Sequence, residues 1–562
     1  MTEPSDWDLQ NAGQLFSAAT GHVPMALKRL TDARVVWVNG RVPIACTSRA
    51  EAADGAGDED LLARYAFVAD VNGNPSLNAQ DAPVGHADRY GGAGLANNGG
   101  SGRAVVLNGR HVKGIGRTPL IGAGTDEAHA SGGAYLEEVV RESMLAEIAA
   151  AEFPWGAVRT RAIIDTGLRV VWDEDQGPRP ERRCLMVRPA VLRPGHFERA
   201  IGHRSTNPHE GAADAERVAA MFRAVVDRWG AAQVVRTFDA LAPRWAQQAA
   251  YGFVHRLTHG AYTSSNLALD GALLDFGAMR SLPSWARCSV MLGMPPTGDE
   301  LHVLQAALAS LGLAVDKALP PPSGMPAYAQ RASAMARRAY HGTLRVEVLR
   351  LAGLARTQAR RVLEGPVGPR LVHEINRCIA HGRQEQIDLF EETPQPRLDW
   401  GFDQLWEAEP PQALRGLRDA IEAALSPSPA ERDALRRRNA LRARTRAELF
   451  SDTLKPTLYA QVERELEGER LTPQTLSALI DGYVLRNRRD SRHDPEDAVP
   501  LGFAVTANAS YALFEPILGG EPFAQREEPP AGEPIPAAQA QRLALSVLAS
   551  EPGLRMIDLG AR

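Results

Sequence analysis

The sequence predicts an α+β protein of two lobes followed by a helical extension, and three observations predict it. Strand-like segments around one strongly periodic helix fill the chain up to about residue 205. Helical periodicity takes over from about residue 212. A single apolar hairpin, at residues 266–275, interrupts the helical part. Strands grouped apart from helices mark an α+β fold rather than an alternating α/β one. The expected units are a β-rich first lobe (1–205), a mainly helical second lobe (206–400) and a helical C-terminal extension (401–562).

Taken in order, residues 34–46 are β-rich and broken by a turn at Asn39-Gly40. Residues 49–60 are acidic and Ala/Gly-rich and residues 91–102 Gly/Asn-rich, so both are expected as exposed or ligand-facing loops. Two short strands around Asn108-Gly109 span 103–113 and put Lys113 at a strand end. After a Gly-rich loop at 121–133, residues 134–152 form a helix with Leu136, Val139, Val140, Leu145 and Ile148 on one face, stopping before Pro154. Strands follow at 157–172 and 184–193. Helices are then expected at 213–229, 240–258, 299–314, 328–365, 370–391, 412–425, 430–450 and 471–487. Pro-rich linkers lie at 319–326 and 393–396, residues 524–540 have a linker composition, and no internal repeat is visible.

At 562 residues, with 44% hydrophobic and 23% charged residues, the chain suits a soluble protein with a core in each unit. A net charge of -5 argues against constitutive nucleic-acid binding, which demands a basic surplus. Cys46, Cys184, Cys288 and Cys378 stand far apart, without metal-site or disulfide-framework spacing. His196, His203 and His209 lack metal-ligand periodicity. The polar, acidic start carries no export signal, and no run of about eighteen apolar residues occurs, so a cytoplasmic protein without membrane insertion is expected. The arginine-rich segment 432–446 reads as a solvated helix face.

The chemistry concentrates in two places. His259-Gly-Ala-Tyr-Thr-Ser-Ser-Asn266 has the His-to-Asn spacing of a protein-kinase catalytic loop, and Asp275-Phe276-Gly277 follows across the hairpin as D-F-G does in kinases. Asn266 and Asp275 are the neutral and anionic oxygen donors that Mg²⁺ takes while it bridges nucleotide phosphates. His259 reads as a packed, hydrogen-bonded histidine. Upstream, Glu142 falls on the buried face of its helix and needs a cationic partner. Lys113 suits that role, as in the kinase lysine-glutamate pair. Arg188 and Arg193 add planar donors suited to phosphate oxygens. Together these features predict a protein-kinase-like two-lobed fold that binds ATP with Mg²⁺ or Mn²⁺.

Several segments resemble the selenoprotein O family of protein adenylyltransferases, which have a pseudokinase fold. They are Lys113-Gly-Ile-Gly-Arg-Thr-Pro119, Arg141-Glu142, Arg193-Pro-Gly-His-Phe-Glu198, His259-Gly260 with Asn266, Asp275-Phe276-Gly277, Tyr90-Gly91 and Gly102-Arg103-Ala104. They cover about residues 90–280 in the family's order. The resemblance implies an inverted ATP, its terminal phosphates held by Lys113, Arg188 and Arg193 beside Glu142. Gly102 and Arg103 would also line the nucleotide, Asn266 and Asp275 would hold the metal, and AMP would pass to a protein or peptide acceptor.

The chain departs from the family where a base is expected. The family's Asp before the metal-binding Asn is Ser265 here, and the kinase base position is Ala261. The G-D-G loop is replaced by residues 122–133, and the C-terminal cysteine or selenocysteine is missing. Three readings therefore stand: AMP transfer to protein side chains; adenylation of a carboxylate, such as a peptide C-terminus in maturation of a siderophore-microcin, with a partner enzyme consuming the product; and non-catalytic nucleotide binding. Both metal-ligand positions being filled argues against the last.

Overall fold

A computed structural model describes residues 22–41, 57–69, 77–78, 83–92, 97–125, 130–174, 177–205, 210–290, 294–388, 401–468, 471–492, 494–505, 509–518, 520–527 and 535–536. The chain is a mixed α+β molecule, with its sheets overwhelmingly antiparallel.

The largest sheet has seven strands in the spatial order Val23–Ala26, Val84–Ala87, Ala104–Leu107, Arg110–Lys113, Gly177–Pro189, Ala162–Glu174, Arg34–Val38. Asn108 and Gly109 both take positive φ, 47° and 73°, as a two-residue hairpin turn requires. The turn fixes the register that sets Lys113 opposite Ala104, and the other neighbour sets Lys113 opposite Met186. The expected strand at 184–193 begins earlier, at Gly177, and ends at Pro189. Residues 42–56, including most of the acidic loop and Cys46, lie outside the described residues. That loop's last residues open a helix, Asp58–Tyr65.

The helix Leu136–Glu152 is buried on almost every side, including Glu137, Arg141, Glu142, Glu147 and Glu152. A helix enclosed all round with five ionisable side chains inside has to pair them. Its apolar residues join one core with Met186 from the sheet, Leu241 and Trp245 from the helix Ala231–Val254, and Leu458 and Tyr483 from the C-terminal part.

Helices dominate from Glu210 onward; the expected 240–258 helix runs over Ala231–Val254 and gives way to a strand at Leu257–Thr258, and three further segments also depart from their expected bounds. The expected 328–365 helix is two, Tyr328–Leu351 and Arg356–Glu364, because the chain turns at Gly353, whose φ is +104°. A Cβ there would sit 2.2 Å from the Leu435 carbonyl oxygen, so only glycine permits the close approach. The 370–391 segment is helical only over Gly368–Gly382, and Gln386–Asp388 then pairs in parallel with Arg287–Ser289. The 430–450 segment is helical over Pro429–Ala443.

The C-terminal part is not wholly helical. Beyond an unanticipated helix, Ser451–Glu467, and the expected Pro473–Asn487, it holds a four-stranded antiparallel sheet: Ala498–Val505, Ser510–Pro516, Phe523–Arg526 and Ile535–Pro536. Much of the 524–540 linker segment falls outside the described residues. Among the described residues no helix is long and apolar enough to cross a membrane.

The arginine-rich segment is the largest departure from expectation. Arg438, Arg442 and Arg446 are buried rather than solvated. Arg442 donates to the Arg350 and Leu354 carbonyls at 2.9 Å each, and Arg446 pairs with Glu152 at 2.6 Å. Helical spacing does not distinguish a solvated charged face from one docked on carbonyls and acids.

Candidate functional site

The hairpin that joins Asn266 to Asp275 closes at Asp270-Gly271, where Gly271 has φ +95° and Asp270 caps the turn by accepting from the Ala272 amide at 3.0 Å. The Leu274 amide donates to the Asn266 carbonyl at 2.9 Å, so Asn266 and Asp275 are tied through the backbone. Asp275 itself has φ +60°, a left-handed conformation uncommon outside glycine and frequent at functional sites. Two residues on, the Gly277 carbonyl accepts from Arg141 at 2.8 Å.

His259 is fully enclosed, with Nε2 2.8 Å from the Leu274 carbonyl and Nδ1 accepting from the Ala261 amide at 3.4 Å. Burial lowers its pKa, so it is a neutral structural histidine, as its sequence context suggested.

Lys113 and Glu142 meet as expected, Nζ to Oε2 at 2.5 Å, with both side chains almost wholly enclosed. The other oxygen, Oε1, accepts from Arg188 at 3.2 Å. Lys113 also lies 3.8 Å from Glu138, which sequence reasoning passed over. Glu138 sits one turn before Glu142 on the same helix face, and that spacing was the available signal. Arg103 binds Glu138 through both terminal nitrogens, at 2.8 and 3.3 Å, and also reaches the Gly133 carbonyl. Burial would raise the Glu138 carboxyl, yet Arg103 and Lys113 hold it down at about 2. Gly102 accepts from the Thr118 amide at 3.0 Å, and a Cβ at its position would lie 2.9 Å from the Ile121 side chain.

His111 stands between the other two arginines, its ring nitrogens 3.3 Å from Arg188 and 3.3 Å from Arg193. Burial and the two guanidinium charges keep it neutral, far below the usual histidine range. Arg193 lies with its guanidinium carbon 4.6 Å from the Tyr90 ring centre and donates to the Ser265 carbonyl at 2.7 Å. It is buried, and no carboxylate pairs with it among the described residues. The Arg193 amide donates to His196, whose other nitrogen is 2.7 Å from Asp88.

Asp275 faces this cationic group. Burial would raise its carboxyl, but Lys113, Arg103 and Arg188 hold it well below the usual carboxylate range, so it is ionised. The structure therefore brings Arg103, Lys113, Glu142, Arg188, Arg193, Ser265, Asn266 and Asp275 into one cluster. Its cations Arg103, Lys113, Arg188 and Arg193 outnumber the carboxylates Glu138, Glu142 and Asp275. Ser265 offers no base: its hydroxyl is 2.8 Å from Thr263 Oγ1 and donates to Asn266 Oδ1 at 3.5 Å. Asn266 Nδ2 is spent on the Ala261 carbonyl at 3.2 Å, so its amide oxygen is the atom that could hold a cation.

A second acidic cluster, His255, Glu347 and Asp490, is buried with its ligand atoms close together. Arg350 binds both acids, Arg356 binds Glu347 and Arg442 binds Asp490, so arginines already supply the positive charge a metal would bring. His196 is committed to Asp88, and His209 lies outside the described residues.

Compared with known proteins, residues 96–289 match the family model described as protein adenylyltransferase SelO. Its activity is that of an enzyme, a nucleotidyltransferase. The matched span contains every residue of the cluster. A search of curated proteins finds no match.

Proposed function

We propose that this chain, of the protein adenylyltransferase SelO family over residues 96–289, binds ATP with a divalent cation in a kinase-like two-lobed cleft and transfers AMP to a protein or peptide acceptor. Arg193 carries the reading. A buried guanidinium without a carboxylate bears a desolvation cost that phosphate oxygens remove. Beside it, Lys113 and Arg188 share Glu142 and keep donors in reach of the same anion.

In this reading Lys113, Arg188 and Arg193 hold the terminal phosphates, and Glu142 aims the first two. Gly102 and Arg103 line the nucleotide, with Arg103 braced on Glu138. Asn266 and Asp275 hold magnesium or manganese, and the donor set fits: one carboxamide oxygen and one ionised carboxylate are the hard oxygens such ions take. The ion, when bound, neutralises phosphate charge. An acceptor oxygen then bonds to the α-phosphorus as the bond to the α–β bridging oxygen breaks. Pyrophosphate leaves in the grip of Lys113 and the two arginines. A cytoplasmic location, where ATP and magnesium are supplied, belongs to the same proposal.

The acceptor's chemistry has a second reading, supported by the missing base. Residues 259–266 contain no carboxylate, and the Ser265 hydroxyl is not ionised near neutral pH. A hydroxyl acceptor forgoes a base contribution of about 10²–10⁴ in rate. A carboxylate acceptor, with an ordinary pKa of about 4, is already ionised. It gives an acyl-adenylate for a partner enzyme or second substrate to consume.

Calorimetry with ATP and Mg²⁺ tests the binding half: Asp275→Ala is expected to remove the metal-dependent part of the affinity, and unchanged binding would reject the assignment. Hydroxylamine tests the acceptor. Acyl-adenylates yield hydroxamates, whereas an AMP adduct that survives hydroxylamine, and forms faster in Ser265→Asp, returns the acceptor to a side-chain hydroxyl.

A further inference from the structure

A cavity of about 640 Å³ opens on the helical part of the molecule, and none of the clamp residues lines it. Its walls include Trp155, Arg345 and Glu347 on the helix Tyr328–Leu351, Arg356 and Arg360 on the helix Arg356–Glu364, and Arg492. The buried acid is already spent. Glu347 Oε2 lies 3.1 Å from His255 and 2.9 Å from Arg350, and Oε1 lies 2.7 Å from Arg356. Arginine and histidine hold its carboxyl well below the usual range against the effect of burial.

Two of the lining arginines are left for a ligand. Neither Arg345 nor Arg360 is in an ion pair with a described residue, and the other acid on the wall, Glu364, is exposed. Trp155 adds a flat apolar face, braced by Arg244 at 4.3 Å from the ring centre and by an indole hydrogen bond to Gln247 at 2.7 Å. A concave, arginine-lined space with a rigid aromatic wall suits bidentate recognition of planar or tetrahedral oxyanions.

We propose that this cavity is a second ligand site, distinct from the nucleotide cleft, for a small molecule bearing two or more phosphate or carboxylate groups. Arg345 and Arg360 supply its free donors. Arg356, fixed by Glu347, supplies an oriented one.

The test uses the full chain carrying Lys113→Ala, which weakens anion binding in the cleft, titrated by calorimetry with sodium tripolyphosphate and, separately, with citrate. At least one anion is expected to bind with about one equivalent, and the stronger of the two identifies phosphate or carboxylate as the preferred group. Adding Arg345→Ala and Arg360→Ala is expected to weaken that binding by about tenfold or more, the scale of a lost charge-assisted hydrogen bond. Arg345→Gln with Arg360→Gln makes the same comparison with side-chain length kept, should the alanine pair fail to fold. Absence of binding by both anions, or an affinity that the arginine replacements leave unchanged, overturns the proposal.

Discussion

Glu142 accepts from Lys113 and Arg188 on its two oxygens while almost wholly enclosed. Removing one partner of a buried pair costs about 3–5 kcal/mol because the other charge is stranded. Glu142→Ala is therefore expected to lower the unfolding free energy by about that amount, measured by denaturant titration, and to abolish nucleotide binding. Glu300 makes a different residue-scale prediction. Its carboxyl accepts from the Gly298 amide at 2.8 Å, but burial pushes it up to about 7 from 4.5. With the folded pKa raised, its stabilising contribution is complete below about 4.5 and is lost as pH rises through about 7. Melting temperatures across that window should fall less in Glu300→Gln than in the parent protein, and parallel profiles would contradict this. The Lys113–Glu142 pair was legible because helical spacing turns Glu142 inward and a strand end positions Lys113. Glu138 carried the same helical-spacing signal, one turn before Glu142, whereas His111 carried none, since Arg188 and Arg193 from other elements place it.

At the scale of elements, the hairpins at Asn108-Gly109 and Asp270-Gly271 were readable because their turn residues demand particular dihedrals. The break at Gly353 was not, because its cause is the Leu435 carbonyl, remote in sequence. The same holds for Arg438, Arg442 and Arg446, whose partners lie in distant elements. Arg446 joins the C-terminal part to the helix that carries Glu142. It donates to Glu152 at 2.6 Å, to the His255 carbonyl at 2.8 Å and to the Asn487 carbonyl at 2.8 Å. Glu152 is otherwise held by the Tyr251 hydroxyl at 3.0 Å and the Arg489 amide at 2.7 Å. Arg446→Ala should destabilise the protein by about 3–5 kcal/mol through the stranded Glu152. An effect below about 0.5 kcal/mol, as for an ordinary surface change, would show the segment to be solvated after all.

At the scale of the molecule, one core runs from Val36 in the first strands through the Glu142 helix to Leu454, Tyr483 and Val505. Its continuity explains why the C-terminal part, unlike any segment in the matched family span, was hardest to read. Its helix Ser451–Glu467 packs on the helix Leu136–Glu152, hundreds of residues away, its small sheet packs on the helices Pro429–Ala443 and Pro473–Asn487, and short strands near residues 498–526 carry little periodicity of their own. The α+β class and the cluster around Lys113, Asn266 and Asp275 were legible because motif spacing survives without knowledge of those contacts. The central claim is that this cluster grips the terminal phosphates and leaves the α-phosphorus open to attack. Incubation with ATP labelled at either the α or the γ phosphate, with Mg²⁺ and an acceptor-containing extract, tests it most directly. Label from the α position on the acceptor, with the γ label released in pyrophosphate, is the predicted result; γ label on the acceptor would contradict it.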